Sequence, residues 1–221
     1  MTINFKKNKY TIIKKALSKE LATFLYNYLL MKRQVAKTYF DSRYISPYNK
    51  EWGIWDDLQV PNTYSHYSDI AMETLLLKCQ PAMEKATKTK LIPMYSYMRI
   101  YKNGDELKRH KDRPSCEIST TLNLGGDPWP IYLSLTENVG FPDGKNITTE
   151  SNAKGKKINL KQGDMLVYSG CVLEHWREKF EGQNCAQVFL HYNNSESPIA
   201  HKFDSRPHLG LPDYFKRYRN G

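Results

Sequence analysis

Apolar residues recur at helical spacing in the stretch LSKELATFLYNYLLMKRQ, where Leu21, Phe24, Leu25, Tyr28 and Leu29 share one face. Ser18 stands just before them as an N-cap, so the spacing predicts a helix from Lys19 to Val35. The stretch SDIAMETLLLKCQPAMEKATKTK predicts a second helix from Ser68, disturbed near Pro81, where a ring replaces a backbone N–H. Between them, DSRYISPYNKEWGIWDDLQVPNTYS is aromatic, loop-like and expected to face a substrate. From Leu91 the period changes. In PMYSYMRIY, Tyr95, Tyr97, Arg99 and Tyr101 alternate with Met94, Ser96, Met98 and Ile100, which is the two-faced pattern of a strand.

Further strand patterns are EISTTLNL, WPIYLSL, KKINL, DMLVYS, CVLEHW and CAQVFLHY. Turn signals separate them at Asn103-Gly104, Gly125-Gly126-Asp127-Pro128, Asp143-Gly144, Gly163-Asp164 and Glu181-Gly182. Short strands following two helices predict a mainly β protein with N-terminal helices, an α+β arrangement built on a barrel or sandwich. The expected organisation is a single domain. Residues 1–90 supply helical support and the aromatic loop, 91–195 the β core, and 196–221 a loop-like basic tail.

Composition narrows the class. The 221 residues include 33 Lys and Arg against 23 Asp and Glu, a formal charge of +10. Lys6, Lys7, Lys9, Lys14 and Lys15 have no acid among them. Such an excess attracts nucleic acid or acidic protein, and the plainer reading is a solvated basic face. No apolar run reaches the roughly 20 residues of a membrane span, and the first residues lack a signal core, so a cytoplasmic protein without a membrane partner is expected. Cys79, Cys116, Cys171 and Cys185 form no CxxC pair and read as buried thiols.

Candidate chemistry sits in YKNGDELKRHKDRPSCEISTTLNL. His110 and Asp112 are one residue apart, and on a strand positions i and i+2 point the same way. Completed by a histidine from another strand, the pair makes a two-histidine, one-carboxylate facial set of the kind that binds ferrous iron. His175, at the end of GDMLVYSGCVLEH, is the candidate third ligand. Alone, a His-x-Asp is a weak signal, and an isolated histidine is more often structural.

The order of these motifs resembles that of the iron(II)- and 2-oxoglutarate-dependent dioxygenases, in the prolyl 4-hydroxylase-like branch that includes phage-type members. RIYKNGDELKRHKD is similar to the family's Tyr–Gly–His-x-Asp entry, and GDMLVYSGCVLEHW to its Gly-Asp strand leading to the distal histidine. The resemblance covers Tyr95 to Tyr192. It implies a double-stranded β-helix (a cupin-like jelly roll), with His110, Asp112 and His175 as metal ligands. It also implies Fe(II), 2-oxoglutarate and O2 as cofactor and cosubstrates, with ascorbate as a stimulant.

One departure matters. Prolyl hydroxylases of this family carry Lys or Arg nine or ten residues past the distal histidine, to hold the far carboxylate of 2-oxoglutarate. Asn184 and Cys185 stand there in this chain. A carboxylate in a partly dry pocket still needs a charge-assisted partner. Arg177, two residues past His175, is the first substitute, and Arg99, on the face of Tyr101, the second. Tyr101 and Gln187 complete the expected cosubstrate contacts, and His191 is expected to border the pocket. Asp164 reads as turn chemistry, and Glu117, Glu174 and Asp105 as exposed or supporting groups.

The resemblance implies an oxidoreductase that hydroxylates a C–H bond, with a prolyl or other side chain of a peptide or protein as the leading substrate. The first alternative is a nucleic-acid demethylase of AlkB type. Arg99 to Gly104 and the following His-x-Asp have that type's spacing, although its Arg-x5-Arg pair after the distal histidine is missing. The second alternative is a metal-binding cupin-like module without catalysis.

Overall fold

The computed structural model describes residues 3–136, 153–198 and 201–216. The expected Asp143-Gly144 turn lies outside the described residues.

Helix α1 (Phe5–Asn8) leads into strand β1 (Tyr10–Ile13). Helix α2 (Lys19–Asp41) begins where Ser18 accepts a hydrogen bond from Leu21 N at 3.2 Å, and it buries Ala22, Leu25, Leu29 and Ala36. It runs past the expected end at Val35. Aromatic rings hold the extra turns: Tyr39 packs on Tyr44 and Trp52, and Phe40 on Trp55. After the short strand β2 (Ser65–Tyr67), helix α3 (Ile70–Thr87) is capped by Asp69, which accepts from Met72 N at 3.0 Å. The disturbance expected near Pro81 does not end the helix. Pro81 and Leu77 lie on the exposed face, where the carbonyl left without a donor can be hydrated, while Leu75, Leu76, Cys79 and Met83 anchor the opposite face.

The remaining strands are β3 (Leu91–Lys102), β4 (Leu107–His110), β5 (Ile118–Gly126), β6 (Ile131–Leu133), β7 (Lys156–Ile158), β8 (Met165–Tyr168), β9 (His175–Arg177) and β10 (Asn184–Asn194). They form a six-stranded sheet in the order β1-β8-β5-β10-β3-β2 and a four-stranded sheet in the order β4-β9-β6-β7. Every pairing among the described residues is antiparallel. Strands β1, β2 and β4, of three or four residues each, are not among the strand patterns read from the sequence. CVLEHW, read as one strand, is a turn through Leu173 followed by β9 starting at His175.

From Tyr95 onward the alternation in β3 sorts its side chains as expected, whereas Met94, at a register shift opposite His191 and Tyr192, clusters with Tyr95 and Cys116. Met98 and Ile100 join Leu122, Leu124, Val167, Val188 and Leu190 beneath α2 and α3. Tyr101 faces the other way and packs with Leu107, Trp129, Phe180 and Cys185. A further apolar cluster of Tyr10, Ile131, Leu133, Leu166, Tyr168 and Leu173 joins residues of both sheets. No helix among the described residues is long and apolar enough to cross a membrane.

The segment after β10, expected to be a loop-like basic tail, is docked on the rest of the fold where it is described. Arg206 is buried and pairs with the buried Glu73 of α3 at 2.8 Å, while also donating to the Met94 and Phe203 carbonyls. Asp204 accepts from Tyr67 and Arg113. Removing one partner of a buried ion pair strands the other charge, at about 3–5 kcal/mol. Arg206→Ala is therefore expected to lower unfolding stability by about that amount. Urea titration followed by far-UV circular dichroism reads this directly.

Candidate metal centre

Two pairings build the site. In the first, β4 lies antiparallel to β9 with His110 opposite His175, so the two imidazoles meet across neighbouring strands with ring centroids 4.2 Å apart. The second pins Asp112. Strand β4 ends at His110, so Asp112 is not on the strand, as its spacing had suggested, but in the loop beyond. Its backbone N–H donates to the Gly170 carbonyl at 2.9 Å, which ties this loop to the turn before β9. Ligand atoms of His110, Asp112 and His175 all lie within 4.8 Å of one another.

The tautomers follow from what each ring touches. His110 Nδ1 lies 2.8 Å from the Lys108 carbonyl and His175 Nδ1 3.0 Å from the Leu173 carbonyl. A carbonyl only accepts, so each Nδ1 carries the proton and donates it. Nε2 of each ring is thereby turned toward Asp112 Oδ1, at 3.7 Å from His110 and 3.5 Å from His175. Burial, reinforced by the neighbouring His175, pushes the His110 pKa down to about 4, so this ring is neutral at pH 7 and presents a lone pair. Burial alone would raise the Asp112 carboxyl, but the imidazoles of His175 and His110 outweigh it and hold it well below the usual range. Nitrogen and carboxylate acceptors converge, and a divalent cation suits that donor set, with each histidine already oriented by its second nitrogen.

Asp112 is held from a third side. Ser119 Oγ lies 2.7 Å from Asp112 Oδ2 and donates to it, while His191 Nδ1 lies 3.0 Å from the same hydroxyl. His191 borders the cleft as expected, its ring tilted against that of Tyr95 with centroids 4.5 Å apart. Asp112, Cys116 and His191 form a second cluster of close donors, but it shares Asp112, and Ser119 already bridges two of its members.

The expected cosubstrate residues lie together, with different partners. Tyr101 lines the cleft. Arg177, only 1% exposed, donates to the Trp129 carbonyl and to Thr121 Oγ1 at 3.2 Å. Among the described residues its Nε has no hydrogen-bond partner and no carboxylate pairs with it. Thr121 Oγ1 in turn donates to Gln187 Oε1 at 3.0 Å. Arg99, equally buried, is neutralised: it is bonded to Asp57 and donates to Gln59 Oε1 at 3.0 Å.

Asp57 and Gln59, in the aromatic loop expected to face a substrate, line the cleft with the histidines. Periodicity does not single them out, since a loop residue's neighbours are set by the turn and not by a repeat. The supporting acids divide as follows. Asp164 accepts from Lys15 N and Lys161 N and holds a turn, as expected. Asp105 holds Thr63 and the turn at Lys102. Glu117 accepts from Asn194 N at 3.0 Å. Glu174, expected to be exposed or supporting, is fully buried beside Arg109, at 3.3 Å.

Gly170 fits where nothing larger can. A Cβ there would lie 2.2 Å from Asp112 Oδ2 and 2.6 Å from both the Cys116 carbonyl and Ser119 Oγ. Gly170→Ala is thus expected to displace the carboxylate and weaken Co2+ binding by about 10–100-fold, the usual range for a disturbed supporting contact. Calorimetric titration of metal-stripped protein with Co2+ checks this.

No protein-family model matches the chain, and no curated protein is similar in sequence. Solved structures are. AviO1 from Streptomyces viridochromogenes Tue57 aligns at a TM-score of 0.64 and 13% identity, over 90% of this chain and 95% of that one. HygX from Streptomyces hygroscopicus, with nickel, 2-oxoglutarate and hygromycin B bound, aligns at 0.59 and 12%, over 90% and 88%. A prolyl-4-hydroxylase from Pseudomonas putida aligns at 0.56 and 12%, over 86% and 95%. At such identities the shared property is the fold: this chain has the double-stranded β-helix fold of 2-oxoglutarate-dependent oxygenases.

Proposed function

We propose that the protein is an Fe(II)- and 2-oxoglutarate-dependent oxygenase that hydroxylates a C–H bond. The observation that carries this reading is the convergence of His110, Asp112 and His175 in one cleft; the buried Arg177, with no carboxylate partner among the described residues, lies over Trp129, whose ring packs on the cleft-lining Tyr101. In this reading His110 Nε2, His175 Nε2 and Asp112 hold the iron. Bound there with 2-oxoglutarate and dioxygen, iron supplies an oxidant for C–H hydroxylation, with succinate and carbon dioxide released.

The chain's own residues bind and orient. Arg177 holds the far carboxylate of 2-oxoglutarate, because an uncompensated buried guanidinium is costly and an entering carboxylate compensates it. Its planar fork suits a bidentate grip. Thr121 and Gln187 orient that grip through hydrogen bonds, and Tyr101 closes the cleft beside it. Arg99 is the weaker candidate because Asp57 already neutralises it.

A prolyl side chain is the leading substrate. The cleft, of about 240 Å³, is lined by Tyr67, Tyr95, Tyr97 and Phe189, an aromatic wall that suits a small apolar ring such as pyrrolidine. A small-molecule substrate is the second reading, supported by the hygromycin B bound in HygX. Succinate release measured with proline-rich peptides, small glycosides and methylated single-stranded DNA separates these from the nucleic-acid alternative. The class that stimulates 2-oxoglutarate turnover is the substrate class. Stoichiometric metal binding without succinate under every condition would instead favour the non-catalytic module.

His110→Ala, Asp112→Ala and His175→Ala are each expected to lose both Co2+ binding and turnover while keeping the fold. A variant that retains wild-type metal affinity drops that residue from the ligand set. Arg177→Ala is expected to raise the apparent 2-oxoglutarate constant at least about tenfold, equivalent to about 1.4 kcal/mol, with metal affinity unchanged. Arg177→Lys recovers part of this, since an ammonium lacks the planar fork. A crippled Arg99→Ala beside a near-normal Arg177→Ala would move the carboxylate to β3.

A further inference from the structure

The side chain of Gln59 touches the metal centre in a way that a bound metal cannot share. Its Nε2 lies 3.1 Å from His110 Nε2. Both orientations are determined by neighbours. The Arg99 guanidinium only donates, and it donates to Gln59 Oε1 at 3.0 Å, so the amide N–H groups face His110. His110 donates through Nδ1 to the Lys108 carbonyl, so its Nε2 accepts. A neutral imidazole has one in-plane lone pair at that nitrogen, and Gln59 occupies it.

We infer that Gln59 and the metal compete for the Nε2 lone pair of His110, which makes the Asp57–Gln59 turn a latch coupled to metal occupancy. This rests on the metal-binding reading above. A metal–imidazole bond of about 2 Å lies well inside the present 3.1 Å contact, so the hydrogen bond must break when the metal binds.

The turn is built to hold the amide in place. Gln59 N donates to Asp57 Oδ1 at 2.8 Å, and Val60 N to the Asp57 carbonyl at 3.2 Å. The Asp57 carboxylate is bonded to Arg99 and Tyr97. Burial would raise this carboxyl, but the Arg99 guanidinium outweighs it and holds Asp57 below its ordinary value, keeping the pair ionised. Once His110 is taken by the metal, the amide is still gripped at Oε1 by Arg99 and turns its N–H groups to the cleft, where they become donors for whatever lies beside the metal. Coupling is reciprocal: a metal that loosens the latch is itself held more weakly while the latch is closed.

The test uses metal-stripped protein and Co2+ alone. Gln59→Leu keeps the bulk and removes the donor. It is expected to bind Co2+ about twofold to tenfold more tightly than wild type, the worth of one neutral hydrogen bond. Leu58→Ala, at the exposed neighbour, is expected to leave the affinity unchanged. Hydrogen exchange followed by mass spectrometry gives a readout free of turnover: Co2+ should speed exchange at residues 56–61 in wild type and have no effect there in Gln59→Leu. Equal or weaker Co2+ affinity in Gln59→Leu, or metal-insensitive exchange at 56–61 in a wild type that binds Co2+, overturns the latch and leaves the metal centre standing. A wild type that binds no stoichiometric Co2+ overturns the metal centre, and the latch with it.

Discussion

The pairing of β4 with β9 is the constraint on which the site depends. It sets His110 opposite His175 and leaves Asp112 to be placed by the loop that follows. Both strands are short and belong to the smaller sheet. They are held in place by what surrounds them: Leu107 and Phe180 in one apolar cluster, Ile131, Leu133 and Leu173 in another. Each histidine donates to the carbonyl two residues earlier in its own chain segment, so local backbone geometry sets the ring orientation and the sheet sets the separation. Asp112 needs both, since it reaches the pair only because Gly170 lets two loops close on each other.

Charge is distributed around this centre with some economy. Two arginines are almost wholly buried close to the cleft, but they are not equivalent. Arg99 has its counterion in Asp57, and the pair fastens the aromatic loop to β3. Arg177 has hydroxyl and carbonyl partners and no acid among the described residues. A cation maintained that way is stable only if its surroundings are polar enough or an anion visits, and the proposed cosubstrate is such an anion. Farther out, Arg206 and Glu73 tie the last described segment to α3, and Asp204 ties it to Arg113 and Tyr67 at the rim of the cleft. Residues late in the chain thus shape a cleft whose metal-facing side chains come from its middle.

The sequence by itself determined the elements with enough length to show a period. The alternation of Tyr95, Tyr97, Arg99 and Tyr101 with Met94, Met98 and Ile100 specified a two-faced strand, because side chains on a pleated strand must alternate. Leu21 to Leu29 specified α2 for the corresponding helical reason. The order of His110, Asp112 and His175 was also legible, and so was the absence of a cation at Asn184 and Cys185. Tertiary structure decided the rest. It extended α2 through aromatic contacts distant in sequence, carried α3 through Pro81, and recruited β1, β2 and β4, none of which the sequence pattern had marked. It decided that Arg99 has a counterion and Arg177 has none among the described residues, that Ser119 and His191 support Asp112, that Gly170 must have no side chain, and that Gln59 reaches His110. Most of these are contacts between residues far apart in the chain, and local pattern carries no record of which distant partner a side chain will meet.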